Sequence, residues 1–404
     1  MKFTTILYRL RHIVFRGAIK IIKFPNPELI QGENAIKQLA ERIKSDGLSK
    51  VLIVTDANLH KIGLLDSLKE ALKAESIDFA VYDDVQPNPT IENIENACHA
   101  YLSENCDGFI AFGGGSPMDC AKVAACRVVK PKKPVVKMKG QFTILKKLPP
   151  FYAVPTTAGT GSETTAAAVV TNPETHEKFV IVDLNIIPHV AVLDPHLMVG
   201  LPPFITATTG MDALTHAVEA VIGWHGTKFI WGYSEKATKL IFENLEKVYQ
   251  NGSDLEARTN MSLAAFYAGM AFTRASVGYV HAIAHNLGGL YGVAHGLANA
   301  VVLPYMLEAF GSKIHKKLAR LALAGGLISA YSNPKDDAEI FIQKVKDMNK
   351  NMGIPTYIKE LKEEDIPLLA KRAASEGNSA YPVPKIFYPE DFKKILHKLL
   401  PSNE

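Results

Sequence analysis

Between residues 25 and 195, short apolar runs alternate with stretches whose apolar residues recur at helical spacing. Residues 50–55 (KVLIVT) read as a buried strand, followed by a turn at Asp56, Ala57 and Asn58. Leu64, Leu65, Leu68 and Leu72 mark one face of a helix, and residues 79–82 form a second strand. A proline-punctuated turn at 86–90 leads into a helix through Leu102. Residues 108–112 form a third strand that runs into Gly113, Gly114, Gly115 and Ser116, and a helix follows from Pro117 to about Val128. Strands alternating with helices predict a doubly wound parallel sheet. Beyond Leu201, Pro202 and Pro203 the pattern becomes helical, at 205–223, 233–249, 254–271, 277–289, 297–310 and 315–330. The expected fold class is therefore α/β plus all-α: an α/β domain over residues 24–197, then an all-helical domain over 198–404.

Residues 1–23 stand apart from both. Phe3, Leu7, Leu10, Val14, Ala18 and Ile21 recur every three or four positions, and Arg9, His12, Arg16, Lys20 and Lys23 form a matching polar stripe. As a helix this segment is amphipathic and wholly basic. Gly17 and the β-branched Ile19, Ile21 and Ile22 argue against helix toward its end. Four readings stay open: a transit-type presequence, a strand-containing extension packed on the body, a helix in a dimer interface, or peripheral contact with a membrane surface.

Charge sharpens that division. The 404 residues carry 45 Lys+Arg against 41 Asp+Glu, a net charge of +4. Residues 1–24 hold six of the bases (Lys2, Arg9, Arg11, Arg16, Lys20, Lys23) and no acid, which leaves 39 against 41, a net −2, over the other 380. A globally basic nucleic-acid binder is excluded, and no finger, recognition-helix or RNP-like pattern occurs. A second basic tract has no acid between Asp119 and Glu163 but seven lysines, from Lys130 to Lys147; it reads as a solvated loop. Cys98, Cys106, Cys120 and Cys126 form no CxxC pair, so buried thiols in a reducing, cytoplasmic setting are expected. No apolar run approaches the ~18–20 residues of a membrane span. Arg9, Arg11 and Arg16 interrupt every candidate signal core, so no cleavable secretory signal is expected.

A strand ending in glycines, then Ser116 and Pro117 at a helix start, suits a phosphate group. Glycines let the backbone approach closely, the helix N-terminus offers free N–H groups, and proline costs nothing at the first helical position. A plain tight turn is the other reading. Asp56, at the end of an earlier strand, could accept hydrogen bonds from an adenosine ribose and repel a 2′-phosphate, or simply form a turn. The acid precedes the glycines here, whereas an ordinary Rossmann fingerprint has it after them.

A second constellation lies in the helical half. Asp212 and His216 are four apart in a helical pattern opened by a turn at Thr209 and Gly210, and so share one face. His281 and His285 repeat that spacing, and His295 follows, so three of the 13 histidines fall within 15 residues. A single histidine on an apolar face is ordinarily a core residue; two such pairs point to a divalent metal. One carboxylate with imidazoles suits iron(II), zinc or cobalt better than magnesium or calcium.

These stretches together resemble the iron-containing (group III) alcohol dehydrogenase family. The motifs are GGGSPMDCAK at 113–122, PTTAGTGSE at 155–163, TGMDALTHAVEA at 209–220 and HAIAHNLGGLYGVAHGLANAVVLP at 281–304. The resemblance spans roughly residues 24–390 and implies a dehydroquinate synthase-like architecture. In it a dinucleotide-binding domain precedes a helical metal-binding domain, with the active site in the cleft between them. It implies metal ligation by Asp212, His216, His281 and His295, with iron(II) as the metal and zinc as the alternative. His285 matches a non-ligand histidine near the metal, with a proton-relay or positioning role; packing beside the metal is its other reading. Cofactor contacts carry over onto Asp56, Asn88, Gly114, Gly115, Ser116, Thr156, Thr157, Lys178 and Leu197. An acid at Asp56 goes with NAD rather than NADP.

Asp119 and Lys122 could line the cleft near the nicotinamide, against the plainer readings of a first-turn helix acid and a solvated lysine. Phe272 matches a position that walls the substrate pocket. Residues 378–384 (NSAYPVP) fit the family's asparagine–proline–arginine ending only loosely. The implied reaction is metal-assisted hydride transfer between NAD(H) and a small primary alcohol or aldehyde. A polyol, diol or hydroxy-acid dehydrogenase is the alternative. A dehydroquinate synthase-like lyase is more remote, because 209–220 and 281–304 contain no Lys or Arg for an anionic substrate. The expected partners are the small-molecule substrate and further copies of the chain in a homo-oligomer, a homodimer in the simplest case, and not nucleic acid.

Overall fold

The computed structural model describes residues 3–174 and 177–401. Lys2 lies outside the described residues, as do the side chains of Phe3, Arg16, Ala18 and Lys20. Two compact units form: residues 24–200, and residues 201–404 together with 1–23.

Among the described residues the first unit holds nine strands: β1 (Glu28–Gln31), β2 (Lys50–Val54), β3 (Asp78–Tyr82), β4 (Gly108–Gly113), β5 (Gly140–Gln141), β6 (Phe151–Pro155), β7 (Ala167–Asn172), β8 (Glu177–Val182) and β9 (Val190–Leu193). Six pair in parallel in the order β1-β9-β6-β4-β2-β3, and β5-β8-β7 form a small separate sheet. Period-two alternation explains why the main sheet is covered on both faces. Leu52 and Val54 of β2, with Phe109 and Ala111 of β4, enter one apolar cluster; Val51, Ile53, Ile110 and Phe112 enter another. The first cluster is closed by α5 (Ile91–Ser103) and α6 (Gly115–Val129), the second by α2 (Ala35–Ser45) and α4 (Asp66–Ala74). A short α3 (Ala57–Lys61) follows β2. The strands β1, β6 and β9 are runs of only four or five residues, too short to show a period of their own. All four cysteines are buried and unlinked.

The second unit comprises α1 (Phe3–Ile21), α7 (Pro203–Ile222), α8 (Lys228–Gln250), α9 (Leu255–Ala275), α10 (Tyr279–Tyr291), α11 (His295–Phe310), α12 (His315–Ala324), α13 (Pro334–Asn351), α14 (Ile366–Ala380) and α15 (Pro389–His397). Helix α7 starts at Pro203 and runs unbroken through Thr209 and Gly210, so the turn expected there does not occur. Proline at the first helical position sets the start earlier. Helix α12 stops at Ala324, short of the expected 330, because Gly325 and Gly326 end it. The reading of residues 1–23 as a strand-containing extension is also corrected. Phe3–Ile21 form a helix, and the first strand among the described residues begins at Glu28. No helix among the described residues is long and apolar enough to cross a membrane.

Candidate active site

In the helical unit, the i,i+4 spacing turns Asp212 and His216 to one side of α7, and His281 and His285 to one side of α10. His295 is the first residue of α11. The ligand atoms of Asp212, His216, His281 and His295 lie within 4.8 Å of one another. Three of these residues are buried, and His295 is partly exposed. The His216 and His281 rings are 4.7 Å apart, and those of His281 and His295 5.2 Å apart. Asn299, one turn beyond His295, directs its amide Nδ2 to Asp212 Oδ1 (2.6 Å) and lies 3.2 and 3.1 Å from Nε2 of His281 and His295. A donor thus occupies the focus of three acceptor atoms, as a cation would. One carboxylate and three imidazoles fit a borderline divalent ion.

The imidazole of His281 is held from behind. Its Nδ1 lies 2.7 Å from Glu219 Oε2, which leaves Nε2 as the acceptor toward the cluster. Glu219 also accepts the backbone N–H of Gly278 and of Val280, both at 2.8 Å. Burial pushes its carboxyl up to about 7, and these hydrogen bonds oppose that shift. A side chain at Gly278 would place its Cβ 2.6 Å from Glu219 Oε1, so glycine is required for the approach. Burial, followed by His216, His295 and His285, holds the His281 imidazole well below its usual range and keeps it neutral, as a ligand must be.

His285 sits beside the cluster, its ring stacked 5.4 Å from that of His295. Its Nδ1 lies 2.7 Å from Glu376 Oε1 on α14. The same oxygen accepts the Tyr381 hydroxyl (2.6 Å), and Glu376 Oε2 accepts Asn286 Nδ2 (3.3 Å). Desolvation, then the Glu376 carboxylate, pushes the Tyr381 phenol well above its usual range. Phe272 stacks on His216 at 4.2 Å, with the ring planes 15° apart.

In the α/β unit, parallel pairing does the assembling. The registers Val54↔Ala111 and Gly113↔Pro155 bring the carboxyl ends of β2, β4 and β6 side by side. Such strand ends are where open α/β sheets bind ligands. Asp56 follows β2, the glycines follow β4, and Thr156 and Thr157 follow β6. Gly113 has φ +144°, and a Cβ there would lie 2.7 Å from Pro117. Its carbonyl accepts Thr156 N–H at 3.1 Å. Helix α6 then opens at Gly115, presenting its N-terminal N–H groups. Ser116 Oγ accepts Asn88 N–H (3.1 Å), and Lys178 Nζ donates to Asn88 Oδ1 (2.9 Å), which joins three of the expected cofactor residues. Asp56 caps α3 through Oδ1, accepting Asn58 and Leu59 N–H, so it serves the turn as well.

Two expected residues are placed in less open surroundings. Leu197 packs among the buried residues of the apolar cluster that contains Val154 and Val192. Asp119 accepts Ser162 Oγ and Val169 N–H, both at 3.0 Å, so each oxygen holds the 162–169 segment. Lys122 is not a solvated lysine. It is fully buried, and its Nζ donates to oxygens of Ser162, Thr165 and Ala167 at 2.7–3.1 Å. Burial brings its ammonium down to about 8, against the opposing pull of Asp119 and Glu163.

Residues 26–195 match the family model "Iron-containing alcohol dehydrogenase", and residues 206–400 match "Fe-containing alcohol dehydrogenase family, C-terminal". The chain belongs to the iron-containing alcohol dehydrogenase family. A 1,3-propanediol dehydrogenase of Citrobacter freundii is 41% identical over 352 residues, 86% of this chain and 91% of that protein. An NAD-dependent methanol dehydrogenase of Bacillus methanolicus is 37% identical over 380 residues, 93% of this chain and 99% of that protein. The solved structure of a 1,3-propanediol oxidoreductase superposes with a TM-score of 0.89 at 38% identity, covering 94% of this chain and 100% of that one. The protein is an oxidoreductase acting on alcohols and aldehydes, with NAD and iron as its cofactors.

Sequence reasoning passed over Glu219, Asn299, Glu376 and Tyr381. Glu219 and Asn299 lie inside the quoted motifs, at helical offsets from Asp212 and His295 that a search for ligands alone does not weigh. Glu376 reaches His285 from a distant helix and Tyr381, just past that helix, bonds Glu376; no local spacing announces the first contact.

Proposed function

We propose that Asp212, His216, His281 and His295 hold the iron, and that the chain interconverts a small primary alcohol and its aldehyde with NAD(H). The convergence of these four donors, with Glu219 fixing the His281 tautomer, carries this reading. Bound there, iron supplies Lewis acidity toward the substrate oxygen, and NAD supplies the hydride acceptor. Zinc fits the same donor set.

The chain's own residues do the rest. Asp212 brings the negative charge to the site, and Asn299 orients its carboxylate. Glu376 and Tyr381 fix the His285 ring, which exchanges a proton with solvent beside the site. Phe272 covers the His216 ring and forms an apolar wall of the substrate pocket. Gly114, Gly115 and Ser116 receive the pyrophosphate at the start of α6, with Thr156, Thr157, Asn88 and Lys178 around it. Asp56 accepts the adenosine ribose and disfavours a 2′-phosphate. The buried free thiols support a reducing, cytoplasmic setting. Similarity to a 1,3-propanediol dehydrogenase favours, as a second reading, small diols among the substrates.

The test is NADH oxidation across a panel of aldehydes, ketones and hydroxyaldehydes, after chelation and reloading with iron or zinc. Full activity in the chelated protein would refute the metal assignment. Replacing His295 by Ala should abolish turnover and spare NAD affinity; loss of NAD binding would mean that the two sites are misassigned.

A further inference from the structure

An amphipathic helix on a water-soluble body ordinarily turns its apolar stripe inward. Helix α1 does the reverse. Its docked face is polar: the Arg9 guanidinium lies 4.4 Å over the Trp224 ring and donates to the carbonyls of Val383 (2.8 Å) and Pro384 (3.1 Å). His12, one turn on, is buried, and its carbonyl lies 3.4 Å from His225 Nε2. The Thr5 hydroxyl meets that of Tyr388. The side away from these anchors holds Leu7, Leu10, Val14 and Ile21, with Ile6 and Ile13 along its border, all exposed, with Leu10 at 55%, Val14 at 73% and Ile21 at 83%. Spacings of three, four and seven join them into one strip along the helix. The anchors from Arg9, His12 and Thr5 leave that strip facing away from the body.

Charge selects the occupant. Arg11 and Lys23 are exposed, and the sequence has no acid before Glu28. A second copy docked strip to strip would set like charges together with no acid within the segment to pair them. An anionic bilayer complements both features, acyl chains taking the strip and headgroups the cations. We propose that α1 is a membrane-surface docking element for bilayers that carry anionic lipid, lying in the interface with its apolar strip inserted. The helix does not span, and the rest of the helical unit stays on the aqueous side of the strip.

The test is co-sedimentation of the full-length protein with phosphatidylcholine vesicles, with and without phosphatidylserine. Two variants accompany it, L10E/V14E in the strip and R11E/K23E in its basic flank. Neither touches the active-site residues, so alcohol-dehydrogenase activity equal to the parent's certifies folding. The parent should pellet with phosphatidylserine vesicles and far less with phosphatidylcholine alone. L10E/V14E should lower the bound fraction about tenfold. R11E/K23E, or raised ionic strength, should remove the phosphatidylserine-dependent part. Recovery of the parent in the supernatant under all conditions overturns the proposal, as does equal binding to both vesicle types. A lipid-free parent that sediments as a larger oligomer than L10E/V14E also overturns it, because a second copy would then cover the strip.

Discussion

Glu219→Gln isolates the residue that supports the metal centre without belonging to the donor set. In the parent, Glu219 Oε2 receives Gly278 N–H and His281 Nδ1, and Oε1 receives Val280 N–H, at 2.7–2.8 Å. Gln supplies one acceptor oxygen and one NH2 group in nearly the same volume. If its oxygen stays at the Oε2 position, His281 keeps its partner, and the NH2 group faces the Val280 N–H, donor against donor. If the amide turns over, Gly278 and His281 both lose their acceptor. In either orientation a buried donor is left unmet, a cost of about 1–3 kcal/mol. Loss of the carboxylate behind a ligating imidazole weakens metal affinity by about 10–100-fold, or about 1.4–2.7 kcal/mol. The assay is iron and zinc affinity by chelator competition, with thermal unfolding of the metal-free and loaded forms. The stability gain on loading should shrink in the variant, while NAD affinity stays at the parent value. Unchanged metal affinity in a folded Glu219→Gln protein would refute the claim that Glu219 sets the His281 tautomer.

Three further outcomes follow from the geometry. His285→Asn should lower kcat by about a hundredfold and Glu376→Gln by about tenfold, with metal content unaltered; steady-state kinetics with metal analysis decides, and parent-like kcat in both removes the proton role. Gly113→Ala forces a Cβ to 2.7 Å from Pro117 at φ +144°, a strain of at least about 1–3 kcal/mol, so unfolding temperature and NAD affinity should fall together. Glu163 is buried, and burial raises its carboxyl from 4.5 to about 7, with Lys122 opposing. Folding therefore retains a proton that the unfolded chain releases, and this stabilisation is full below pH 4.5 and lost as pH rises through about 7. The stability of the parent relative to Glu163→Gln should drop by about 3 kcal/mol across that window, measured by denaturant titration; a difference independent of pH would contradict it.

Much of the molecule was readable from one dimension. KVLIVT at 50–55 and the run at 108–112 could be recognised as buried strands because a parallel sheet covered on both faces needs continuous apolar residues. Helical periodicity made Asp212 with His216, and His281 with His285, legible as pairs on one face, because an i,i+4 spacing is a spatial statement as well as a sequential one; only the family resemblance set His295 beside them and left His285 out. The turn from β4 into α6 was legible because few residues other than glycine suit so tight a strand-to-helix passage. The reading of Lys122 as a solvated lysine fails for the complementary reason. Its burial is created by Ser162, Thr165 and Ala167, some forty residues away, and a local pattern records nothing of them.

Sequence by itself thus determined the alternation of elements, the family, and which side chains carry ligand chemistry, since these depend on local periodicity and residue type. Tertiary structure alone decided which partners hold those side chains. It set Glu219 behind His281, Glu376 behind His285 with Tyr381 behind Glu376, and Asn299 between Asp212, His281 and His295. It also decided the orientation of α1. Amphipathic spacing showed that this helix has two faces, but only the cradle of Trp224, Val383 and Pro384 determined that the face bearing Arg9 is docked and the apolar one exposed. The physical reason is range: helical and strand periods act over a few residues, whereas hydrogen-bond partners and packing surfaces are brought together only when distant segments meet.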